Sequence, residues 1–194
     1  MSINQPAIHQ IQAVEPESAE ETEQVEEAIL ILCNQCLAQE AIGSNDNSTE
    51  SQSEECRNAA PRDVMFLLDG SGSIPPESFQ QMKSFVSSVI EQTLRRQDRV
   101  AVIQFAGFPR AEISFNSPQN KTEIIARISK IKYLWGPTLL GLALWHAHLV
   151  ELKEWKGDRP EVQNLIVIVT DGISADSPNH IASILRDRVR VELV

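Results

Sequence analysis

Apolar residues along this chain follow two spacings that alternate. Val64 to Leu68, Val100 to Ile103 and Leu165 to Val169 are unbroken apolar runs. Such runs mark strands buried on both faces, as in the middle of a parallel sheet. Between the first two, Phe79, Met82, Phe85, Val86, Val89 and Ile90 recur at steps of three and four, which predicts an amphipathic helix over 77–95. A second strand is expected over 99–105 and a third, alternating one over 111–115. The Gly107/Pro109 link between them is too short for a parallel crossover, so this pair reads as an antiparallel hairpin. Helices are expected over 121–131, 139–155 and 178–187, and a last strand over Val189 to Val194. Strands alternating with helices specify an α/β fold, a three-layer, doubly wound sheet that is mostly parallel with one antiparallel strand. If the strands at 64–69 and 164–169 are neighbours, the polar residues just after each meet at one sheet edge.

Residues 1–60 have a different character. Twelve Asp or Glu and one basic residue, Arg57, give this leader a net charge of -11, so the total of -10 leaves +1 for residues 61–194. The leader reads as largely disordered over 1–18, with a helix over 19–41 and a Ser-, Asn- and Glu-rich linker over 43–60. The domain proper is expected at 61–194. No clustered basic face is present for nucleic acid, and no apolar run has the roughly 20 residues needed to span a bilayer. Met1 to Gln24 lacks the basic and apolar regions of a secretory signal, so on this evidence an intracellular location stays open. Cys33-x-x-Cys36 lacks a second pair at zinc spacing and reads as small apolar residues on a helix face; if the chain is exported, Cys33 or Cys36 is the candidate disulfide partner of Cys56. Asn47-Ser48-Thr49 and Asn120-Lys121-Thr122 have the glycosylation pattern, which is short enough to arise by chance.

The chemistry concentrates where the first strand ends. Asp69-Gly70-Ser71-Gly72-Ser73 follows the apolar run without a spacer. Ligands bind at this end of the strands in open parallel sheets. Side-chain oxygens at 69, 71 and 73 can converge on one point in an extended turn, which suits a hard cation such as magnesium; taken alone, the same residues also make an ordinary turn. Thr138 precedes the 139–155 helix and is either a further oxygen ligand or that helix's N-cap. Asp171, in Thr170-Asp171-Gly172 after the 164–169 strand, would face Asp69. His146 and His148 lie two apart on a helix and face different ways, so they read as surface or packing residues. Trp135, Trp145 and Trp155 read as packing, Trp135 standing nearest the expected ligand face.

Asp69-x-Ser71-x-Ser73, Thr138 in Gly136-Pro137-Thr138-Leu139-Leu140-Gly141, and Thr170-Asp171-Gly172, in this order, resemble the von Willebrand factor A domain. Within that family the chain is similar to the inserted domains of integrin α chains and the A domains of collagen-associated matrix proteins. The resemblance covers about residues 62–194. It implies a metal-ion-dependent adhesion site. Ser71 and Ser73 would bind the metal through their hydroxyls and Thr138 would join when a ligand is engaged, while Asp69 and Asp171 act largely through bridging waters. Magnesium is the expected ion, with manganese as a substitute. The implied partner is a protein supplying a Glu or Asp carboxylate, collagen or another matrix protein, and the implied location is extracellular or at the cell surface.

The family's pattern continues with a further strand and helix after the one at Val189 to Val194, so the domain reads as ending early, with an exposed apolar edge. The competing function is an intracellular A-domain subunit working beside an ATPase or in another complex. An enzyme is not expected. Position 71 is Ser where a haloacid-type phosphatase needs Asp, and neither the Gly-x-Ser-x-Gly elbow nor a Gly-Lys-Ser phosphate loop is present.

Overall fold

The computed structural model describes residues 60–186 and 189–193. The expectations for the leader, its helix and its cysteines lie outside these residues. Strand β1 (Arg62–Asp69) is followed by helix α1 (Pro76–Thr93), then β2 (Arg99–Phe105), β3 (Arg110–Ile113), α2 (Lys121–Ser129), α3 (Leu140–His146), β4 (Gln163–Val169), α4 (Asn179–Leu185) and β5 (Val189–Leu193). The sheet order is β3-β2-β1-β4-β5. β2 and β3 are antiparallel and every other pair is parallel. The expected fold class is therefore the observed one, and β1 lies at its centre.

The unbroken apolar run of β1 is explained by its two faces. Val64, Phe66 and Leu68 pack with Phe79, Val86 and Val89 of α1 and Ile124 and Ile128 of α2. Met65 and Leu67 point the other way, toward Ala143 and Leu144 of α3 and Ile181 and Leu185 of α4. Successive side chains of a strand alternate between faces, so one run feeds two cores. Each fully buried Leu or Phe contributes about 1.5–3 kcal/mol by leaving water.

The end of the sheet where β1 begins is fixed by charge. Asp98, its side chain wholly buried, accepts from the Arg62 amide at 3.0 Å and pairs with the guanidinium groups of Arg62 at 3.1 Å and Arg95 at 2.9 Å. Asp63 is held in the same way by Arg159, whose Nε lies 3.0 Å from Asp63 Oδ1. The opposite end carries the loops.

The predicted helix over 139–155 is interrupted. It stays α-helical to His146, then widens into a π-type turn over Ala147–Glu151, in which the Leu152 amide donates to the Ala147 carbonyl at 2.8 Å. The wide turn brings Glu151 into the protein, 3.1 Å from Lys156 Nζ and 3.3 Å from the Ser114 hydroxyl. The buried carboxylate is thus met by half-buried partners. Lys83 is a second departure, a charge on the apolar face of α1. Its Nζ donates to the Ser129 and Ile131 carbonyls at 3.0 and 3.1 Å, satisfying acceptors at the C-terminal end of α2.

Candidate metal centre

β1 delivers Asp69 to the loop end of the sheet with no exposed surface. One carboxylate oxygen accepts from the Ser71 amide at 2.9 Å and the other from the Thr170 hydroxyl at 2.6 Å. The turn beyond it is set by backbone bonds to its neighbours. Gly70 N donates to the Phe105 carbonyl at 2.9 Å, Gly72 N to the Gly136 carbonyl at 2.8 Å, and Trp135 N to the Gly70 carbonyl at 3.0 Å. Gly70 has no room for a side chain, since a Cβ there would lie 2.1 Å from the end of the Gln104 side-chain amide. With its amide oriented to suit its neighbours, Gln104 donates to the Lys132 carbonyl at 2.9 Å and accepts from the Leu134 amide at 3.2 Å. The Tyr133 hydroxyl shares its proton between the carbonyls of Ser71 at 2.6 Å and Ile74 at 2.8 Å.

These constraints gather three hydroxyls. Ser71 Oγ and Ser73 Oγ are 2.9 Å apart, and Thr138 Oγ1 is 3.5 Å from Ser73 Oγ. Thr138 is not the cap of α3. That place is taken from across the chain by Asp176, whose carboxylate accepts from the amides of Gly141 at 2.9 Å and Leu142 at 2.8 Å, while the Ser174 hydroxyl accepts from Leu140 N at 3.1 Å. Burial works against ionisation of Asp176, but these amide and hydroxyl donors outweigh it and hold its carboxyl below the usual range. The Thr138 side chain is thereby left to the site.

Asp171 lies just past the end of β4, which pairs with β1 up to Leu68 and Val169. Its Oδ1 accepts from the Ile173 amide at 3.2 Å. Burial pushes the Asp69 carboxyl above its ordinary value, the Ser71 and Thr170 hydrogen bonds oppose the shift, and the charge of Asp171 adds to it. The structure thus groups Asp69, Ser71, Ser73 and Thr138 and sets Asp171 within electrostatic reach of Asp69. The charge of Asp171 thus adds to the cost of ionising Asp69, a cost that a nearby cation relieves.

The donor set is oxygen throughout, hydroxyls and carboxylates. Among the described residues no three His, Cys, Asp or Glu side chains gather into a group that could hold a metal. Hard divalent cations accept such ligands and softer metals favour nitrogen or sulfur, so the residues fit an oxygen-bound divalent ion. Thr170, Tyr133, Gln104 and Asp176 had no assigned part at the level of sequence. Only Thr170, adjacent to Asp171 in the recognised triplet, carried a local signal.

This sheet order, with its polar Asp-Gly-Ser-Gly-Ser turn at the end of the central strand, points to a class. The chain belongs to the von Willebrand factor type A domain family, whose model matches residues 63–194. Its relatives include the collagen alpha-1(XX) chain of Mus musculus, 40% identical over 136 residues that make up 69% of this chain and 10% of the relative. Matrilin-1 of Homo sapiens is 29% identical over 159 residues, 79% of this chain and 32% of the relative. The chain therefore spans about a tenth of the collagen relative and a third of the matrilin. Among solved structures, proximal thread matrix protein 1 from the mussel byssus, described with a zinc-occupied MIDAS motif, superposes with a TM-score of 0.62 at 28% identity, covering 71% of this chain and 36% of that one. Among the described residues no helix is long and apolar enough to cross a membrane.

Proposed function

We propose that this domain is a metal-ion-dependent protein-binding module of the extracellular matrix, binding rather than catalysing. Asp69, Ser71, Ser73, Thr138 and Asp171 hold a divalent cation, magnesium in the first instance, and the partner contributes a Glu or Asp carboxylate. The observation that carries this reading is the convergence of the Ser71, Ser73 and Thr138 hydroxyls beside the buried Asp69. When bound, the ion supplies an open coordination position for an acidic side chain. The protein's part is to present neutral hydroxyls, which leave the ion's charge incompletely balanced, and to orient them from beneath with Asp69, itself fixed by Thr170 and the Ser71 amide. The matrix relatives support the location, and the zinc-occupied neighbour supports a divalent ion at the corresponding motif.

The test is binding of the full chain to a panel of fibrillar and non-fibrillar collagens and other matrix proteins, with magnesium, with chelator and with the Asp69→Ala variant. Binding that needs magnesium and disappears in the variant is the expected result. Binding indifferent to chelator overturns the mechanism.

A further inference from the structure

The loop end of the sheet exposes large apolar side chains where a monomeric surface would bury or omit them. Phe108, Trp135 and Ile173 are 86%, 72% and 71% exposed. They come from three different loops, and all three loops are tied to the segment that carries Thr138. Gly107 N donates to the Pro137 carbonyl at 2.7 Å, and Ala175 N to the Thr138 carbonyl at 2.9 Å.

Trp135 is the most constrained of the three. It has φ of 56°, the one positive value outside glycine among the described residues. A bulky side chain in that region is strained, and such strain persists where the surroundings impose it, often at ligand clamps. Here the Trp135 amide is fastened to the Gly70 carbonyl. The indole lies over Gly72, where an added Cβ would be 2.9 Å from its Nε1. A strained backbone thus holds an exposed indole beside the glycine that separates Ser71 from Ser73. Packing does not account for it.

The rim is also uncharged. Residues 106–109, 134–137 and 172–175 contain no ionisable side chain. Of the charges that border these segments, the Arg110 guanidinium is engaged with Glu112, at 2.6 Å from Nε, Asp171 accepts from the Ile173 amide and Asp176 from the start of α3, while Lys132 is exposed. The three loop segments that border the hydroxyl cluster thus present carbon rather than charge to whatever flanks an incoming acid.

We infer that Trp135, with Phe108 and Ile173, forms an apolar collar that selects partners whose acidic residue is flanked by aromatic, aliphatic or proline side chains and not by charged ones. The inference rests on the carboxylate-binding reading above and adds the chemistry of the segment around the carboxylate. Trp135 stacks on the flanking side chain and sets specificity; it does not hold the ion.

The experiment is selection of the full chain, in magnesium, against a displayed library of short peptides with glutamate fixed at the centre and all other positions randomised. Wild type is expected to enrich apolar and aromatic flanks. Trp135→Gly suits the positive φ and removes only an exposed ring, so it retains the fold, which circular dichroism checks. It is expected to lose that flank preference and about tenfold in affinity for the selected peptides, measured by titration, as truncating an aromatic hot spot does. Its magnesium dependence is expected to stay. An unchanged flank preference in Trp135→Gly and in the Phe108→Ser, Ile173→Ser double variant overturns the collar alone. Enrichment of charged flanks does the same. Loss of any magnesium-dependent glutamate selection overturns the site reading and the collar with it. A concentration-dependent dimer in sedimentation that Trp135→Gly dissolves assigns the rim to a second copy and also overturns the proposal.

Discussion

Thr170 donates its hydroxyl proton to Asp69 Oδ2 over 2.6 Å, across 101 positions of sequence. The bond joins the loop ends of β1 and β4 and fixes the orientation of a carboxylate that has no contact with solvent. Thr170→Val keeps the shape and removes the donor, leaving an acceptor of a buried acid unmatched. A loss of about 1–3 kcal/mol in urea unfolding is expected. Magnesium affinity by calorimetry is expected to fall about 10- to 100-fold, as for other residues that orient a metal's ligands. Unchanged affinity would remove Thr170 from the site.

Ser73 and Thr138 meet at 3.5 Å through their hydroxyls, Ser73 being exposed and Thr138 half-buried. Ser73→Ala and Thr138→Val are each expected to leave metal-free stability within about 0.5 kcal/mol of wild type. A ligand that binds only the folded state raises its melting temperature by mass action, so wild type is expected to gain thermal stability on magnesium addition. Both variants are expected to lose most of that gain. Variants that respond to magnesium as wild type does would show that these hydroxyls are not ligands.

Asp98 gives a pH signature independent of the metal. Its burial favours the neutral acid, but hydrogen bonds from Arg95 and the charge and hydrogen bonds of Arg62 outweigh burial, so its folded pKa lies below the ordinary 3.8. A depressed carboxylate pKa stabilises the fold above the unfolded value, and that contribution disappears as pH falls through the folded one. Asp98→Asn is expected to cost about 3–5 kcal/mol at pH 7, since it leaves two buried guanidinium groups without their counter-charge. The gap between variant and wild type in urea unfolding is expected to narrow below about pH 4. A gap constant from pH 7 to pH 3 would contradict the sign.

Gly70 tests the packing under the site. Gly70→Ala would place a methyl group 2.1 Å from the end of the Gln104 side-chain amide, so Gln104 must shift from its bonds to Lys132 and Leu134. About 1–3 kcal/mol of destabilisation is expected, the usual cost of overpacking. Gly70→Ala with Gln104→Ala is expected to recover part of it, with equilibrium unfolding of the single and double variants giving the coupling.

Much of this was legible because it is local. An apolar run ending in Asp69-Gly70-Ser71-Gly72-Ser73 announces both a buried strand and a polar turn, and the spacing of Phe79, Val86 and Ile90 announces the helix after it. Strand and helix bounds fell within a few residues of those expected, apart from the 139–155 helix. What the sequence concealed depends on partners far along the chain. Nothing near Thr138 indicates that Asp176 caps α3 in its place. The π-type turn at Ala147–Glu151 accompanies contacts of Glu151 with Lys156 and Ser114 that no local pattern announces. Lys83 looks like a solvated charge until the end of α2 is seen above it, and Trp135 looks like core until its backbone proves to be held against its preference.

The juxtaposition of β1 with β4 has a consequence for biosynthesis. Asp69 and Ser71 emerge early, but Thr170 and Asp171 are made a hundred positions later and reach them only once the central parallel pair has closed. A nascent or stalled chain lacking β4 carries the serine turn without its opposing acid. Cation capture is therefore expected to report completed assembly of the sheet, so that a chain unable to finish folding does not compete for partners.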